Sequence, residues 1–540
     1  MNKKFYLLAK ILVVLLIVFI AFLFTKNILL SSDSSYYGQI SNQMVKDQKI
    51  VVSVTNMDNR PVQYPQLFFV ANAVFTLFLG EYAYRIILFF VSIFIILLLY
   101  KTFSFKNKSY NLILLVVFSA IFFSSSFFYT ILRYKIETFL FFDAVILLYL
   151  FSRKKQNISI LILFSLFVGA AIASKQFGFI FLPLIFILPF FDTIPLKKKL
   201  QKLFIGLVII FLIIAPFYIV LKASTGFFTG VYSMNVPYLD NLKIKLKDIS
   251  CTGICQELIN PNEKVKLDQL KANLVKNDGH KFSMTSLIAS YQQFINGVWM
   301  TRSLPGLILL GTFFAGLFFY LNRKRRQISF MLILVPLSLF AYIKIASIWT
   351  YWLYASFLYE ILIFFIIISL AVNLKNNALK ITCTLVLLVL VLIPSSSSTY
   401  QNIYLGRIAG QKVISGILGA RQFIPNNFYA LSNRATEPSY YFDKPFLIEQ
   451  AMGRDYLIEK DKNSNNIWQS FWDKNQSVFI DSTKIRKVNY VLFIKNIRDE
   501  GAGDTDIRPA FKESLAYFEK SGIIKKGYEN SEVAIYKINN

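Results

Sequence analysis

About eleven apolar stretches of bilayer-crossing character are strung along this chain, and lysine and arginine gather in every second gap between them. A water-soluble globule has no use for that alternation. In a membrane it fixes a topology, because basic loops stay on the cytoplasmic side. The spans are expected near Leu7 to Phe24, Tyr82 to Tyr100, Leu112 to Thr130, Thr138 to Phe151, Ile158 to Ala173, Phe177 to Phe191, Leu203 to Leu221, Leu304 to Leu321, Ile328 to Ile345, Trp352 to Val372 and Ile381 to Ile393. Several fall short of about 20 residues, so their ends must reach into flanking polar positions.

The gaps that carry the cations hold Lys3 and Lys4; Lys101, Lys106 and Lys108; Arg153, Lys154 and Lys155; Lys197, Lys198, Lys199 and Lys202; Arg323, Lys324, Arg325 and Arg326; Lys375 and Lys380. No acid interrupts any of these clusters. An odd number of crossings that starts inside leaves the N-terminus cytoplasmic and the tail outside. The net charge of +28 over 540 residues is therefore largely an orientation signal, and nucleic-acid binding is discounted. With 55% hydrophobic residues and a mean hydropathy of +0.52, the composition agrees with a polytopic membrane protein. The run after MNKK lacks a small-x-small cleavage site and is read as an uncleaved first span. Leu67 to Leu79 is apolar too. If it crossed, the Lys101 gap would move outside, so it is expected as a helix lying in the outer interface.

Two domains follow: a transmembrane part over 1–394, with a first outer loop at 26–81 and a long outer loop at 222–302, and a tail over 395–540. The tail loses long apolar runs and gains Asp, Asn, Lys and Gly. VNYVLFIKN and EVAIYKIN read as strands, and RPAFKESLAYFEKSG as a helix ending at a glycine, so a small extracytoplasmic α/β domain is expected. Cys251 and Cys255, in CTGIC of the long outer loop, either pair in an oxidising compartment or stay as thiols. His280 is the one histidine, which leaves little material for a histidine-rich metal centre or a Ser-His-Asp triad.

The residues that look chemical collect at the outer face. Asp33 follows the first span in SSDSSYYGQI, where a helix N-cap is the structural alternative. Arg60, Tyr64 and Arg85 lie in NRPVQYPQLFFVANAVFTLFLGEYAYRI, a stretch that would also serve as a helix start with headgroup anchors. In LRYKIETFLFFDAVILLYLF, Arg133, Lys135 and Glu137 crowd the membrane boundary, and Asp143 lies about 9 Å deeper along a helix. Lys175 occupies the short outer turn of GAAIASKQFGFIFLP, with Arg302 and Lys344 near other outer helix ends. A lone lysine there would be a headgroup anchor. Several cations beside two carboxylates on one face point to chemistry on an anionic substrate.

Taken in order, the acid after the first helix, the YPQLFF turn, GEYAYRI, RYKIETF and ASKQFGFIFLP resemble the GT-C membrane glycosyltransferases, within them the protein O-mannosyltransferase and aminoarabinose-transferase group. The resemblance covers roughly the first 200 residues in pattern and the remainder in topology. It implies a GT-C-like fold, a polyprenyl-phosphate-linked sugar as donor, membrane lipid as partner, an inverting transfer at the outer face, and an acceptor that is protein, lipid or glycan. Asp33 matches the first-loop catalytic carboxylate, Glu137 the second acidic position, and Lys175 the lysine near the donor phosphate. Arg133, Arg302 and Arg85 are further candidates for phosphate binding, and Tyr36, Tyr37, Arg60 and Tyr64 for the donor or acceptor pocket. Glu137 is expected to orient the acceptor or, with Asp33, to hold a divalent ion, Mg or Mn. The single acid of DSS, where mannosyltransferases often carry a pair, and Gln66 in place of the second proline of YPPL depart from the pattern. Rival readings are a flippase for lipid-linked sugars and a glycan polymerase or ligase. A Lys-, Asn-, Ile- and Phe-rich composition fits an AT-rich genome, and a bacterial inner membrane is the expected location.

Overall fold

A computed structural model describes residues 3–25, 32–51, 53–54, 60–62, 64–105, 108–124, 136–153, 157–191, 194–225, 361, 364–374, 376–433, 436–444, 446–447, 467–468, 470–495 and 508–539. These fall into two compact units. One is drawn from Met1–Lys26, Gln63–Phe68 and Tyr84–Tyr404, the other from Asn27–Val62, Phe69–Ala83 and Leu405–Asn540.

The first unit is helical. Helix α1 (Lys3–Thr25) contains the apolar run Tyr6–Thr25, one of three segments among the described residues that are long and apolar enough to cross a membrane. Leu8, Leu12, Leu15 and Phe19 on it are exposed, which water would penalise and lipid would not. The chain then supplies the second unit with α2 (Ser32–Asp47), the two-residue strands β1 (Ser53–Val54) and β2 (Arg60–Pro61), and most of α3 (Leu67–Leu79), whose bounds match the apolar segment expected as an interfacial helix. Back in the first unit, helices α4 (Ala83–Phe103), α5 (Lys108–Ser124), α6 (Ile136–Phe151) and α7 (Ile158–Ser174) overlap segments expected as spans; α4 is long and apolar enough to cross a membrane, and residues 125–130 of the second segment lie outside the described residues. Phe24 of α1 stacks on Phe123 of α5, with ring centroids 5.7 Å apart. Asn157 caps α7 by accepting the N–H of Ile160 at 3.0 Å.

The span expected at Phe177 to Phe191 is not one continuous α-helix. A 3₁₀ turn over Gln176–Phe181, α8 (Leu182–Ile187) and a second 3₁₀ turn over Leu188–Phe191 replace it. Pro183 and Pro189 each lack an N–H, and each ring crowds the preceding turn, so the long ladder gives way to short pieces. Helix α9 (Leu196–Thr225) is again long enough to cross, and residues 364–372 are helical. Helix α9 packs on α7, where a methyl group added to Gly169 would lie 3.0 Å from Ile213 Cδ1; a small residue lets the two backbones approach in an apolar setting. The spans expected at Leu304 to Leu321 and Ile328 to Ile345 lie outside the described residues, as do Cys251, Cys255 and His280.

Helix α10 (Asn377–Arg421) runs 45 residues, straight through the domain boundary expected at 394/395. Its last turns bury Ile417 and Ala420 against the sheet, and that packing outweighs weak local propensity.

In the second unit β3 (Ala430–Ser432), α11 (Thr436–Phe442), β4 (Phe446–Leu447), α12 (Gln476–Arg486), β5 (Tyr490–Ile494), α13 (Arg508–Lys520), β6 (Ile524–Glu529) and β7 (Val533–Ile538) include a sheet of order β4-β3-β5-β7-β6. Its β4-β3-β5 half is parallel, and β5-β7-β6 antiparallel. Both faces are buried. Val491 and Phe493 of β5 join Ala534 and Tyr536 of β7 in a cluster with Phe471, Phe511 and Phe518, while Leu492, Ile494, Val533 and Ile535 meet Ile417 and Phe428 on the opposite face. This explains why VNYVLFIKN carries an unbroken apolar run rather than a one-faced alternation. Helix α13 ends as its sequence suggests, with Gly522 at φ +75 and the Ile523 N–H returning to Phe518 O at 3.1 Å.

At the sheet edge Glu529 accepts from Lys495 Nζ at 2.6 Å and pairs with Lys526 Nζ at 2.9 Å, which hold its carboxyl down from 4.5 to about 2. A depressed carboxylate stabilises the fold above its unfolded value and loses that contribution as pH falls through the folded one. The Glu529 carboxyl resonance in labelled full-length protein should therefore titrate near 2, and Lys495→Met should raise its midpoint toward 4.5. The accompanying stability change, spread between those two values, should be small and salt-sensitive because the pair is half-exposed. A midpoint that Lys495→Met leaves in place would contradict this assignment.

Candidate functional site

The first unit presents a buried cation at a helix end. Helix α7 stops at Ser174, where Lys175 turns extended at φ −156 and ψ 143 while its N–H still reaches Ala171 O at 3.1 Å. The chain then folds back. Lys175 O accepts the Gly178 N–H at 2.9 Å, opening the 3₁₀ turn. Gly178 lies flat on the end of α7, where an added Cβ would collide with backbone atoms of Ala171 and Ile172. Neither of those is a side chain that can swing away. Gly178→Ala should therefore displace the Lys175 turn and lower the thermal stability of the purified protein by about 1–3 kcal/mol. An unchanged melting temperature would count against that close approach.

The Lys175 side chain is 8% exposed, and its Nζ sits 4.9 Å from the ring centroid of Tyr64. A buried ammonium is costly unless its charge is met, and an aromatic face meets part of it, worth about 0.5–2 kcal/mol. Tyr64 opens the YPQLFF turn, with Pro65 and Gln66 buried behind it. Residues separated by more than a hundred positions thus share one environment. On the α9 side, Tyr218 Oη donates to Ile172 O at 3.4 Å and its ring meets Phe179 edge-on at 6.1 Å. Among the described contacts, then, Lys175 stands at the end of α7 with the Tyr64 ring against its ammonium.

The other candidates are placed individually. Glu137 is the second residue of α6, and its side chain is outside the description; Asp143, further along that helix, is buried at 8% exposure. Arg85, in the first turn of α4, donates from Nε to Tyr84 Oη at 3.0 Å. Asp33 stands in the first turn of α2, again with its side chain outside the description. Tyr36 and Tyr37 are buried on that helix, and Tyr37, at 1% exposure, packs its ring 5.6 Å from Phe69. Arg60 belongs to β2, its backbone opposite Val54. Arg133, Lys135, Arg302 and Lys344 lie outside the described residues. Sequence reasoning named Lys175 and Tyr64 but did not pair them, and it passed over Gly178. A glycine three residues after a lysine at a helix end was the available signal.

No protein-family model matches the chain, and no curated protein matches it in sequence. Solved structures do. ArnT from Cupriavidus metallidurans in the apo state superposes with a TM-score of 0.57 at 12% identity, over 98% of this chain and 97% of that one. The same enzyme bound to undecaprenyl phosphate gives 0.56 at 11% identity, over 99% and 98%. The archaeal oligosaccharyltransferase AglB from Archaeoglobus fulgidus, in complex with an inhibitory peptide and a dolichol-phosphate, gives 0.52 at 13% identity, over 90% of this chain and 69% of that one. The chain has the GT-C fold. At such low identity the likeness carries the architecture and not the residues. As a GT-C fold, the resemblance seen in the first 200 residues extends in three dimensions to nearly the whole chain.

Proposed function

We propose that this GT-C protein transfers a sugar from a polyprenyl-phosphate donor to an acceptor at the outer face of the membrane, with inversion at the anomeric carbon. The observation that carries the reading is the buried Lys175 against Tyr64 in a fold shared with an enzyme that holds undecaprenyl phosphate. In this reaction an acceptor O–H or N–H attacks the anomeric carbon. The new bond to carbon forms as the bond from carbon to phosphate oxygen breaks, the proton passes to a carboxylate, and polyprenyl phosphate leaves with one more negative charge. Fixed cations are what that growing charge requires, and they act most strongly where water is thin.

On this reading Asp33 is the base. Glu137 orients the acceptor or, with Asp33, holds a divalent ion, and two carboxylates with substrate oxygens are a donor set that suits Mg or Mn. Lys175, with Arg133, Arg302 and Arg85, clamps the phosphate, and Tyr36, Tyr37, Arg60 and Tyr64 line the approach. The tail over 395–540 is extracytoplasmic and contributes to acceptor binding. A donor with a polyprenyl tail stays in the bilayer, which accounts for an enzyme built mainly of spans.

The test is a polyprenyl-phosphate donor radiolabelled in its sugar, given to proteoliposomes with a membrane extract as acceptor. Label appearing on a new product with release of polyprenyl phosphate supports transfer, and EDTA in the same assay separates the two roles of Glu137. Label that crosses the bilayer still joined to its lipid would establish a flippase instead.

A further inference from the structure

Helix α2, which carries Asp33 in its first turn, is held on two sides within its compact unit. On one side is α3, where Asn72 Nδ2 donates to Ser41 Oγ at 2.9 Å and Ser41 Oγ lies 3.1 Å from Tyr37 O and 3.3 Å from Phe69 O. All these groups are buried, so the seam is a closed polar pin inside an apolar contact.

The second hold comes from α11, about 400 residues away in sequence. A methyl group built on Gly38 would fall 2.5 Å from Cε2 and 3.0 Å from Cδ2 of Tyr440. Glycine is disfavoured in a helix interior, and here its use is to let the α2 backbone close on that ring. Tyr440 in turn has little room, since Tyr441 meets it edge-on at 5.2 Å and Ser439 is fully buried. Ahead of α11 the end of β3 is fixed to β5. Asn433, buried just after β3, donates from Nδ2 to Ile494 O at 3.0 Å and accepts the Ile494 N–H at 2.8 Å. Tyr440 thus stands on the helix that follows β3, with Gly38 of the Asp33-bearing helix against its ring.

We propose that Tyr440 and Gly38 are positioning residues: their contact sets where α2 stands against the sheet, and so where Asp33 meets the acceptor. The inference rests on Asp33 being the base. A bulkier residue at 38 must push either the ring or α2, and a push on α2 carries Asp33 with it. A shift of about 1 Å in a reacting group costs up to roughly a hundredfold in rate without weakening substrate binding in proportion.

The experiment uses full-length enzyme in proteoliposomes with the labelled donor. Gly38→Leu should lower kcat by about tenfold or more while donor KM stays within about twofold, and Gly38→Leu with Tyr440→Ala should recover most of kcat by vacating the space. Rescue together with the kcat against KM split is a signature that a merely structural contact would not give. If Gly38→Leu does not fold, Gly38→Ala is read for the same split and the same rescue. Full kcat in a folded position-38 variant, or a double variant no better than the single, overturns the proposal. Asp33→Asn is run in parallel. Transfer that survives it removes the base reading and this inference together, whereas transfer abolished by Asp33→Asn but untouched by substitution at 38 removes this inference alone.

Discussion

Asp33→Asn should reduce sugar transfer by about 10²–10⁴-fold while leaving the protein folded and able to bind donor. Two magnitudes separate the catalytic reading of Asp33 from its structural alternative. A carboxylate in the first turn of a helix, where α2 places it, contributes about 0.3–1 kcal/mol through the helix dipole, and asparagine keeps most of the capping capacity. A role confined to helix stability therefore predicts a melting-temperature change of a few degrees and nearly full turnover. Loss of the proton acceptor predicts the reverse, with single-turnover transfer collapsing at unchanged donor affinity. Measuring both quantities on one preparation decides between them, and an Asp33→Asn enzyme with turnover within about threefold of the parent would end the assignment of the base.

If Lys175 clamps the donor phosphate as proposed, Lys175→Met should cost about 10²–10³-fold in kcat and raise donor KM as well, since the ammonium would then meet phosphate before and during departure of the leaving group. Methionine keeps the stem's packing beside Tyr64, so the melting temperature should move little: the loss of about 0.5–2 kcal/mol of cation–π attraction is offset by relief of a buried charge. Arginine should restore only part of the activity, because its planar fork must lie over the same ring in a space 8% exposed with the smaller lysine. Isothermal titration with polyprenyl phosphate alone supplies a check that does not depend on turnover. If Lys175→Met binds that lipid as tightly as the parent and transfers sugar at the same rate, the lysine is an ordinary structural cation and the clamp lies elsewhere.

Much of the architecture was legible because its causes are local. The apolar segment 67–79 is a helix over those same residues, since thirteen consecutive residues without a proline, nearly all apolar, leave few alternatives. Strands β5 and β7 lie within the runs VNYVLFIKN and EVAIYKIN, and α13 ends at its glycine. The stretch at 177–191 is a succession of short helical pieces rather than one α-helix, which was not legible because an apolar run gives no hint of how its prolines will be accommodated. Helix α10 runs on past residue 394 for the opposite reason, since its continuation depends on a sheet that follows in sequence.

The sequence by itself determined the alternation of apolar and basic segments, the identity of the candidate acids and cations, and the periodicities that make helices and strands. Those are properties of neighbours a few positions apart, where hydropathy and backbone sterics act directly. Only the tertiary structure decided that Lys175 lies under Tyr64, that Gly178 rests on the backbone of α7, and that Gly38 meets Tyr440. Each of these joins groups from separate elements at van der Waals range. Their distance is set by close packing of the chain between them, which no local pattern encodes.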